Sequence, residues 1–171
     1  LSLPAPPQVT ETTAYHSWRE MVAEIKQMAV DHPGIMKLVS IGNSWQNRDI
    51  WAIKISDNVD VEEANEPEVY FNANHHAREW MTIEIALYVA NYLTNNYGTN
   101  ATITNIVDNR QVWIIPTANP DGRVYDGLTG GDNPLVHASM PYGWRKNCRD
   151  NSGNGQFEAA TDGVDLNRNY G

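Results

Sequence analysis

The sequence predicts an α/β domain in which helices flank a mixed β-sheet. Three observations lead to this prediction: apolar runs of strand length, longer stretches with apolar residues at helical spacing, and the alternation of the two along the chain. Strands that alternate with long helices are typical of a sheet covered by helices. At 171 residues, the chain is long enough for one domain with a hydrophobic core.

The chain opens with a predicted helix and a predicted hairpin. In SWREMVAEIKQMAV (17–30), apolar residues recur every three or four positions, Ser17 and Glu20 form the pattern of a capping box, and HPG follows as a stop. The runs IMKLVSIG (35–42) and RDIWAIKIS (48–56) have the length of strands. They flank the polar segment NSWQN, which is typical of a hairpin.

Two more strands are predicted around a long helix. EVYFNAN (68–74) is nearly continuous in its apolar character, which indicates a buried strand. An apolar-rich helix is predicted from Arg78 to Tyr97, with Gly98 as its end. QVWIIPTAN (111–119) is predicted as a further strand.

Charge and hydropathy exclude several classes of partner. The 21 acids outnumber the 12 bases and give a net charge of −9, which opposes binding to nucleic acid or anionic lipid. No apolar run has the roughly 18 to 20 residues that cross a bilayer. The chain starts at Leu1 with an extended segment (1–13), and we interpret this start as the result of processing, which is compatible with secretion. The single Cys148 is interpreted as a free or semi-buried thiol, with a disulfide to other polypeptide as the alternative.

The motif HHARE offers a pair of metal ligands directly after a predicted strand. Residues three apart lie on one face of a helix, so His76 and Glu79 could direct an imidazole and a carboxylate at one cation. These ligand types suit zinc, which in catalytic sites commonly takes three protein ligands. The alternative is a polar helix start in which Glu79 only complements the helix dipole.

Beyond Asn119 the sequence is rich in glycine and lacks periodicity, which predicts long loops that build a functional surface. Two loop segments, GWRKN (143–147) and DGVDLNRNYG (162–171), each contain an arginine. The guanidinium groups of Arg145 and Arg168 suit recognition of a carboxylate or stabilisation of an oxyanion. Isolated surface arginines are the alternative.

Four motifs in this order, HHAREW, NPDG, WRKN and DLNRNYG, resemble the zinc metallocarboxypeptidases of the carboxypeptidase A and B type. The segment SDNVDVEEANEPEVYFNANHHARE is similar to the bacterial carboxypeptidase T branch of that family. The resemblance begins near Tyr15 and implies the α/β/α fold of these proteins, a zinc ion (Zn²⁺), and release of C-terminal amino acids from peptides.

The resemblance also implies roles for individual residues. His76 and Glu79 would be zinc ligands, and Asp165 would accept a hydrogen bond from His76. Arg145 would be catalytic, since it would polarise the scissile carbonyl and stabilise the oxyanion. The substrate-binding residues would be Arg78, Arg145, Asn167 and Arg168, of which Asn167 and Arg168 would bind the free C-terminal carboxylate. His75 corresponds to no ligand.

The third zinc ligand and the general-base glutamate of the family are expected beyond the NRN motif. We therefore expect residues 1–171 to be the N-terminal portion of one catalytic domain, with the remainder on a second chain or a further segment. The chain alone should lack peptidase activity, and its sheet should have an unpaired edge with exposed apolar surface. His137, the remaining downstream histidine, matches no ligand of the family.

The acidic run SDNVDVEEANEPE contains the carboxylates that could bind calcium. Clustered oxygen ligands in a loop suit Ca²⁺, and the resemblance to carboxypeptidase T, a calcium-stabilised enzyme, favours this interpretation over a solvated loop. The candidate ligands are Asp57, Glu62, Glu63 and Glu66.

Two other functions stay open. One is a zinc-dependent amidase that acts on cell-wall peptides or acylated amino acids, and the other is a pseudo-enzyme that binds C-termini without cleaving them. The side-chain preference at the substrate C-terminus is set in the family by later residues.

Overall fold

The structure is a computed structural model that describes residues 15–126 and 143–170. In chain order the elements are α1 Trp18–Asp31, β1 Met36–Asn43, β2 Asp49–Ile55, β3 Glu68–Asn72, α2 Met81–Asn96, α3 Ala101–Val107, β4 Gln111–Ile115, α4 Pro120–Tyr125 and the 3₁₀ turn Leu166–Arg168. The extended segment 1–13 and His137 lie outside the described residues.

The four described strands form one mixed sheet in the order β1-β2-β4-β3, which confirms the predicted fold class. The β1–β2 hairpin is antiparallel, and so is the pair of β2 with β4, where Ile53 faces Ile114. In contrast, β3 and β4 run parallel, with Phe71 opposite Ile114 and Asn72 opposite Ile115. A parallel pair needs a long crossover connection, and α2 and α3 supply it.

The core lies between the sheet and helices α1 and α2, which also contact each other. Helix α1 buries Met21, Ile25 and Met28 at the predicted helical spacing. Its capping box is present as predicted: the Ser17 hydroxyl accepts a hydrogen bond from the Glu20 amide, and the Glu20 carboxylate accepts one from the Ser17 amide. These two bonds satisfy backbone donors that a helix start leaves without partners.

The prediction that β3 is buried is wrong. Tyr70 is 58% exposed and Phe71 is 44% exposed, because β3 pairs only with β4 among the described residues and forms the edge of the sheet. The prediction of an unpaired edge with exposed apolar surface therefore holds for the described part of the chain. A similar exposed stripe runs along α2 through Met81, Ile85 and Tyr88.

The predicted helix bounds need three corrections. Helix α2 begins at Met81 rather than Arg78, whereas its end at Asn96 agrees with the stop at Gly98, whose φ is +75°. Two short helices, α3 and α4, were not predicted. The side chains of Asn100 and Asn119 cap them by accepting amide hydrogen bonds from their first turns. Among the described helices, none combines the length and the apolar character that a membrane crossing requires.

Cys148 is buried and takes part in no disulfide with the described chain. Burial raises the pKa of its thiol to about 12, and the nearby charge of Asp121 acts in the same direction. The interpretation of Cys148 as an unpaired thiol thus agrees with the structure, although the thiol is buried rather than semi-buried.

A partly buried ionic cluster attaches the segment before α1 to two helices. His16 Nε2 lies 2.8 Å from Glu24 Oε2 on α1, and His16 Nδ1 lies 2.7 Å from Glu84 Oε2 on α2. The hydrogen bonds to Glu24 and Glu84 outweigh burial and raise the pKa of His16 to about 10. Burial alone would raise the pKa of Glu24, but the hydrogen bond and the charge of His16 lower it.

This cluster predicts a pH-dependent contribution of His16 to stability. The folded-state pKa is raised above the unfolded value of 6.5, so the stabilisation is complete below pH 6.5 and disappears as the pH rises toward 10. After allowance for solvent screening, His16→Gln should lower the free energy of unfolding at pH 5.5 by on the order of 2 kcal/mol. Urea unfolding at pH 5.5 and pH 10 measures this difference, which should shrink at the higher pH. His32→Gln is the control, and equal losses at the two pH values would contradict the prediction.

Candidate metal and substrate site

The predicted zinc ligands meet in a turn that follows strand β3. His76 Nδ1 lies 2.7 Å from Glu79 Oε1, and the Glu79 amide donates to the His76 carbonyl at 3.0 Å. The helical face that the spacing suggested is not present here, because α2 starts two residues after Glu79. Asn74 adopts a φ of +51° and changes the chain direction before a helix can form. A four-residue turn from His76 to Glu79 brings the two side chains together as a helix would.

Asp165 lies on the opposite side of the His76 ring, as the resemblance implies. Its Oδ1 is 3.2 Å from His76 Nε2, and its Oδ2 accepts a hydrogen bond of 2.7 Å from Arg145 Nε. The Asn167 amide also donates to Asp165 Oδ1. The hydrogen bond from Arg145 and its positive charge hold the pKa of Asp165 below its ordinary value. Burial acts in the opposite direction but is outweighed.

The chemistry of this pair of side chains fits a metal ion. An ionised carboxylate only accepts hydrogen bonds, so a neutral imidazole with one N–H can donate to Asp165 or to Glu79 but not to both. When Nε2–H donates to Asp165, Nδ1 carries a lone pair. That lone pair points at the Glu79 carboxylate, which is also an acceptor. Two acceptors at 2.7 Å require a proton or a cation between them. An imidazole whose other nitrogen is held by a carboxylate is the usual arrangement of a zinc-binding histidine.

The GWRKN segment attaches to the same turn through its backbone. The amides of Ala77 and Arg78 donate to the carbonyls of Arg145 and Trp144, at 3.3 and 2.9 Å. Asp126 strengthens the junction, since its carboxylate accepts hydrogen bonds from the Trp144 amide and from Trp80 Nε1. Burial raises the pKa of Asp126 although these bonds oppose the shift.

The DGVDLNR segment in turn attaches to GWRKN. The Asn147 amide donates to the Val164 carbonyl at 3.0 Å, and the Val164 amide donates to Asn147 Oδ1 at 2.8 Å. Gly163, whose φ is +86°, comes so close to Asn147 that a Cβ there would lie 2.6 Å from its carbonyl oxygen. These contacts bring Asp165 to His76.

The predicted substrate-binding residues lie around this centre. Asn167 and Arg168 belong to the 3₁₀ turn and are exposed, and Arg168 Nη1 donates to the Asn167 carbonyl. Arg78 is exposed and lines a shallow cleft of about 320 Å³ next to Glu79 and Tyr15. His75 contacts the Tyr170 hydroxyl and Asn72 rather than Glu79 or Asp165.

The candidate calcium ligands divide into two groups. Oxygen atoms of Asp57, Glu63 and Glu66 lie within 4.8 Å of one another. Burial, followed by the charges of Glu63 and Asp57, raises the pKa of Glu66. Glu62 is outside the cluster, because its carboxylate accepts a hydrogen bond from Gln111 and lies 3.9 Å from Lys54 Nζ. Glu62 therefore lies apart from the other three candidates.

The motifs meet at residues to which the sequence analysis gave no role. Asn119, within NPDG, donates from Nδ2 to the carbonyls of His75 and Lys146, both at 3.0 Å. Asn74 donates to carbonyls of the ligand turn. The position of Asn119 in one of the four motifs is a signal that could have identified it, whereas Asn74 offers only an asparagine directly after a strand.

Close packing at this junction predicts that Gly122 tolerates no side chain. A Cβ there would lie 2.5 Å from Asn119 Nδ2 and 2.6 Å from the Lys146 carbonyl. Gly122→Ala should lower the free energy of unfolding by about 1 to 3 kcal/mol, because backbone and a buried amide must move. Gly34→Ala is the matched control, since a Cβ at Gly34 meets no atom within 4 Å. Thermal unfolding checks both variants, and equal melting temperatures would contradict the prediction.

Comparisons with known proteins find similarity to zinc carboxypeptidases. The profile of the zinc carboxypeptidase family matches residues 21–171. A zinc carboxypeptidase of Saccharothrix mutabilis subsp. capreolus is 45% identical over 93% of this chain, and carboxypeptidase A2 of Rattus norvegicus is 33% identical over 92%. The crystal structure of carboxypeptidase A from Helicoverpa armigera superposes with a TM-score of 0.70 at 30% identity over 92% of this chain.

The chain spans about a third of the length of these relatives: 33% of both curated proteins and 34% of the crystallised one. Within that span, both the sequence and the mixed sheet agree with the family. The chain therefore belongs to the zinc carboxypeptidase family.

Proposed function

We propose that this chain contributes the zinc site and the carboxylate-binding residues of an exopeptidase that releases C-terminal amino acids from peptides and proteins. The observation that carries the proposal is the connected set of His76, Glu79, Asp165 and Arg145. It combines two metal-ligand side chains, the carboxylate that orients one of them, and a guanidinium group held by the same carboxylate.

In this proposal His76 and Glu79 hold the zinc ion through Nδ1 and a carboxylate oxygen. Zinc bound there would supply Lewis acidity toward water and the scissile carbonyl. Asp165 keeps the proton of His76 on Nε2, so that Nδ1 is free to act as a ligand. We infer that the third ligand and the general-base glutamate belong to polypeptide beyond this chain, and that the chain alone is inactive.

Arg145 is suited to stabilise negative charge on the substrate. Its Nε donates to Asp165, and within residues 15–126 and 143–170 no hydrogen bond from Nη1 or Nη2 is found, so these two nitrogens are available as donors to a substrate. Donors fixed before the reaction stabilise a developing oxyanion without the cost of reorientation. Since Arg145 and His76 share one carboxylate, the positions of the donor and of the metal ligand are coupled.

Exopeptidase specificity would come from Asn167 and Arg168. An exposed guanidinium beside an amide matches the two oxygens of a free C-terminal carboxylate. A peptide bond in the middle of a chain presents no such charge at that position. Arg78, at the cleft beside Glu79, would contact the substrate further from its C-terminus.

We infer that the exposed edge of β3 and the apolar stripe of α2 pack against the remainder of the catalytic domain, within the same polypeptide or on a second chain. Tyr70, Phe71, Met81, Ile85 and Tyr88 are all at least 44% exposed. Apolar patches of this kind on soluble proteins mark interaction surfaces. We further propose that the protein is secreted.

Hydrolysis by the protein expressed from its complete gene tests the function. The expected result is zinc-dependent release of the last residue from an N-blocked dipeptide, with at least 100-fold lower kcat/KM when the C-terminus is amidated, because the contacts of Asn167 and Arg168 are lost. Arg168→Ala should abolish this preference. Arg110→Ala is the matched control, since Arg110 is also exposed and also donates to the preceding carbonyl.

Other outcomes would assign the chain differently. Zinc binding without hydrolysis would indicate a pseudo-enzyme, and equal cleavage of free and amidated substrates would indicate an amidase. Unchanged zinc content in His76→Ala would contradict the assignment of the ligands.

We also propose that Asp57, Glu63 and Glu66 bind calcium. A calcium ion bound between the three carboxylates should neutralise their charges and raise the melting temperature. At a calcium concentration 100 times the Kd, binding adds about 2.7 kcal/mol to the free energy of unfolding. Calcium titrations at constant ionic strength, with magnesium for comparison, measure the shift. Glu63→Gln should remove it, while the neighbouring Glu62→Gln should retain it. The absence of a shift in the parent protein would contradict the proposal.

A further inference from the structure

We propose that three buried neutral residues, Asn74, Thr117 and Asn119, act together as positioning residues for the metal-ligand turn and its junction with GWRKN. We call these three residues the triad. They are 1%, 2% and 1% exposed, and none of them is a proposed ligand or substrate contact. The proposal rests on the proposed function of His76 and Glu79 as a zinc site.

Asn74 holds the turn from inside. Its Nδ2 lies 3.1, 3.3 and 3.4 Å from the carbonyl oxygens of His76, Ala77 and Glu79, so two amide hydrogens are shared among three acceptors. The backbone amide of Asn74 donates to the Thr82 hydroxyl, which in turn donates to the Glu79 carbonyl. The side chain thus fixes the backbone at both proposed ligands.

Thr117 connects this turn to the segment after β4. Its hydroxyl donates to the side-chain Oδ1 of Asn74 at 2.9 Å and accepts a hydrogen bond from the backbone amide of Asn119 at 3.2 Å. One buried hydroxyl therefore satisfies an acceptor and a donor. A valine has the same shape but could satisfy neither group.

Asn119 extends the same network to GWRKN. Its Nδ2 donates to the carbonyls of His75 and Lys146, and its Oδ1 accepts from the Gly122 amide. Together the amides of Asn74 and Asn119 hold the carbonyls of His75, His76, Ala77, Glu79 and Lys146. Four of these residues, His75, His76, Ala77 and Glu79, lie in the ligand turn or directly before it. The fifth, Lys146, directly follows Arg145.

This arrangement would fix the ligands before a metal arrives. A flexible turn must lose conformational entropy when it binds an ion, whereas a turn already held by satisfied buried hydrogen bonds avoids that cost. Removal of one partner leaves buried groups without hydrogen bonds and so favours other conformations of the turn. The triad should therefore affect zinc affinity.

Zinc affinity of the protein expressed from its complete gene, measured by competition with a chromophoric chelator, tests this inference. Thr117→Val should weaken zinc binding on the order of 10-fold. Thr94→Val is the matched control, because the buried Thr94 hydroxyl donates, among the described residues, only to the carbonyls of Ala90 and Asn91 within α2. Asn74→Gly is a second variant, since glycine tolerates the positive φ but lacks the amide.

Hydrogen exchange in the metal-free protein supplies a readout that requires no zinc. The amides of Ala77, Arg78 and Glu79 should be protected in the parent protein and should exchange at least several-fold faster in Thr117→Val than in Thr94→Val. If neither triad variant folds, rapid exchange of these amides in the metal-free parent protein overturns the inference, and protection supports it.

Zinc affinity of Thr117→Val and Asn74→Gly within twofold of the parent protein, or an equal loss in Thr94→Val, overturns the inference. Failure of the proposed function would look different. The parent protein would then bind no zinc through His76 and Glu79, while exchange would still report whether the triad holds the turn.

Discussion

The candidate site depends on the parallel pairing of β3 with β4. The pair continues past both strands, because the Ala73 amide donates to the Ile115 carbonyl and the Ala118 amide donates to the Ala73 carbonyl. Parallel strands end at the same edge of a sheet, so the segments that follow them leave side by side. The ligand turn follows one strand and the NPDG segment follows the other. GWRKN attaches to these two segments and DGVDLNR attaches to GWRKN, so the whole site is built outward from this edge.

Local patterns identified the elements well but said little about their neighbours. The sequence predicted α1 and the hairpin because both form from local signals: a capping box, apolar runs of strand length and a polar turn between them. The burial of β3 could not be predicted in this way. A nearly continuous apolar strand indicates that both faces are to be covered, and it does not say which polypeptide covers them. Sheet order depends on distant pairings, which a single sequence does not display.

At the site, residue types were predictable and their local geometry was not. The imidazole and carboxylate of HHARE indicated a metal site whether the backbone was a helix or a turn, since a spacing of three brings side chains together in both. What ends the helical interpretation is Asn74, whose side chain offers the backbone an alternative set of hydrogen bonds. Such competition is decided by partners such as Thr117, which is 43 residues away in sequence. The role of the triad therefore has no local signature.

The charges around the proposed metal site are carried by the proposed functional residues, whereas the triad that holds the ligand turn is neutral. A carboxylate in place of the Asn74 amide would face three carbonyl oxygens and add negative charge beside Glu79 and Asp165. A cationic side chain would compete electrostatically with the metal ion. An amide supplies donors and an acceptor without net charge, so it can order the backbone in a buried region without shifting the ionisation of the ligands. Asp126 illustrates the cost of the alternative, because burial raises the pKa of its carboxyl even with three hydrogen-bond donors around it.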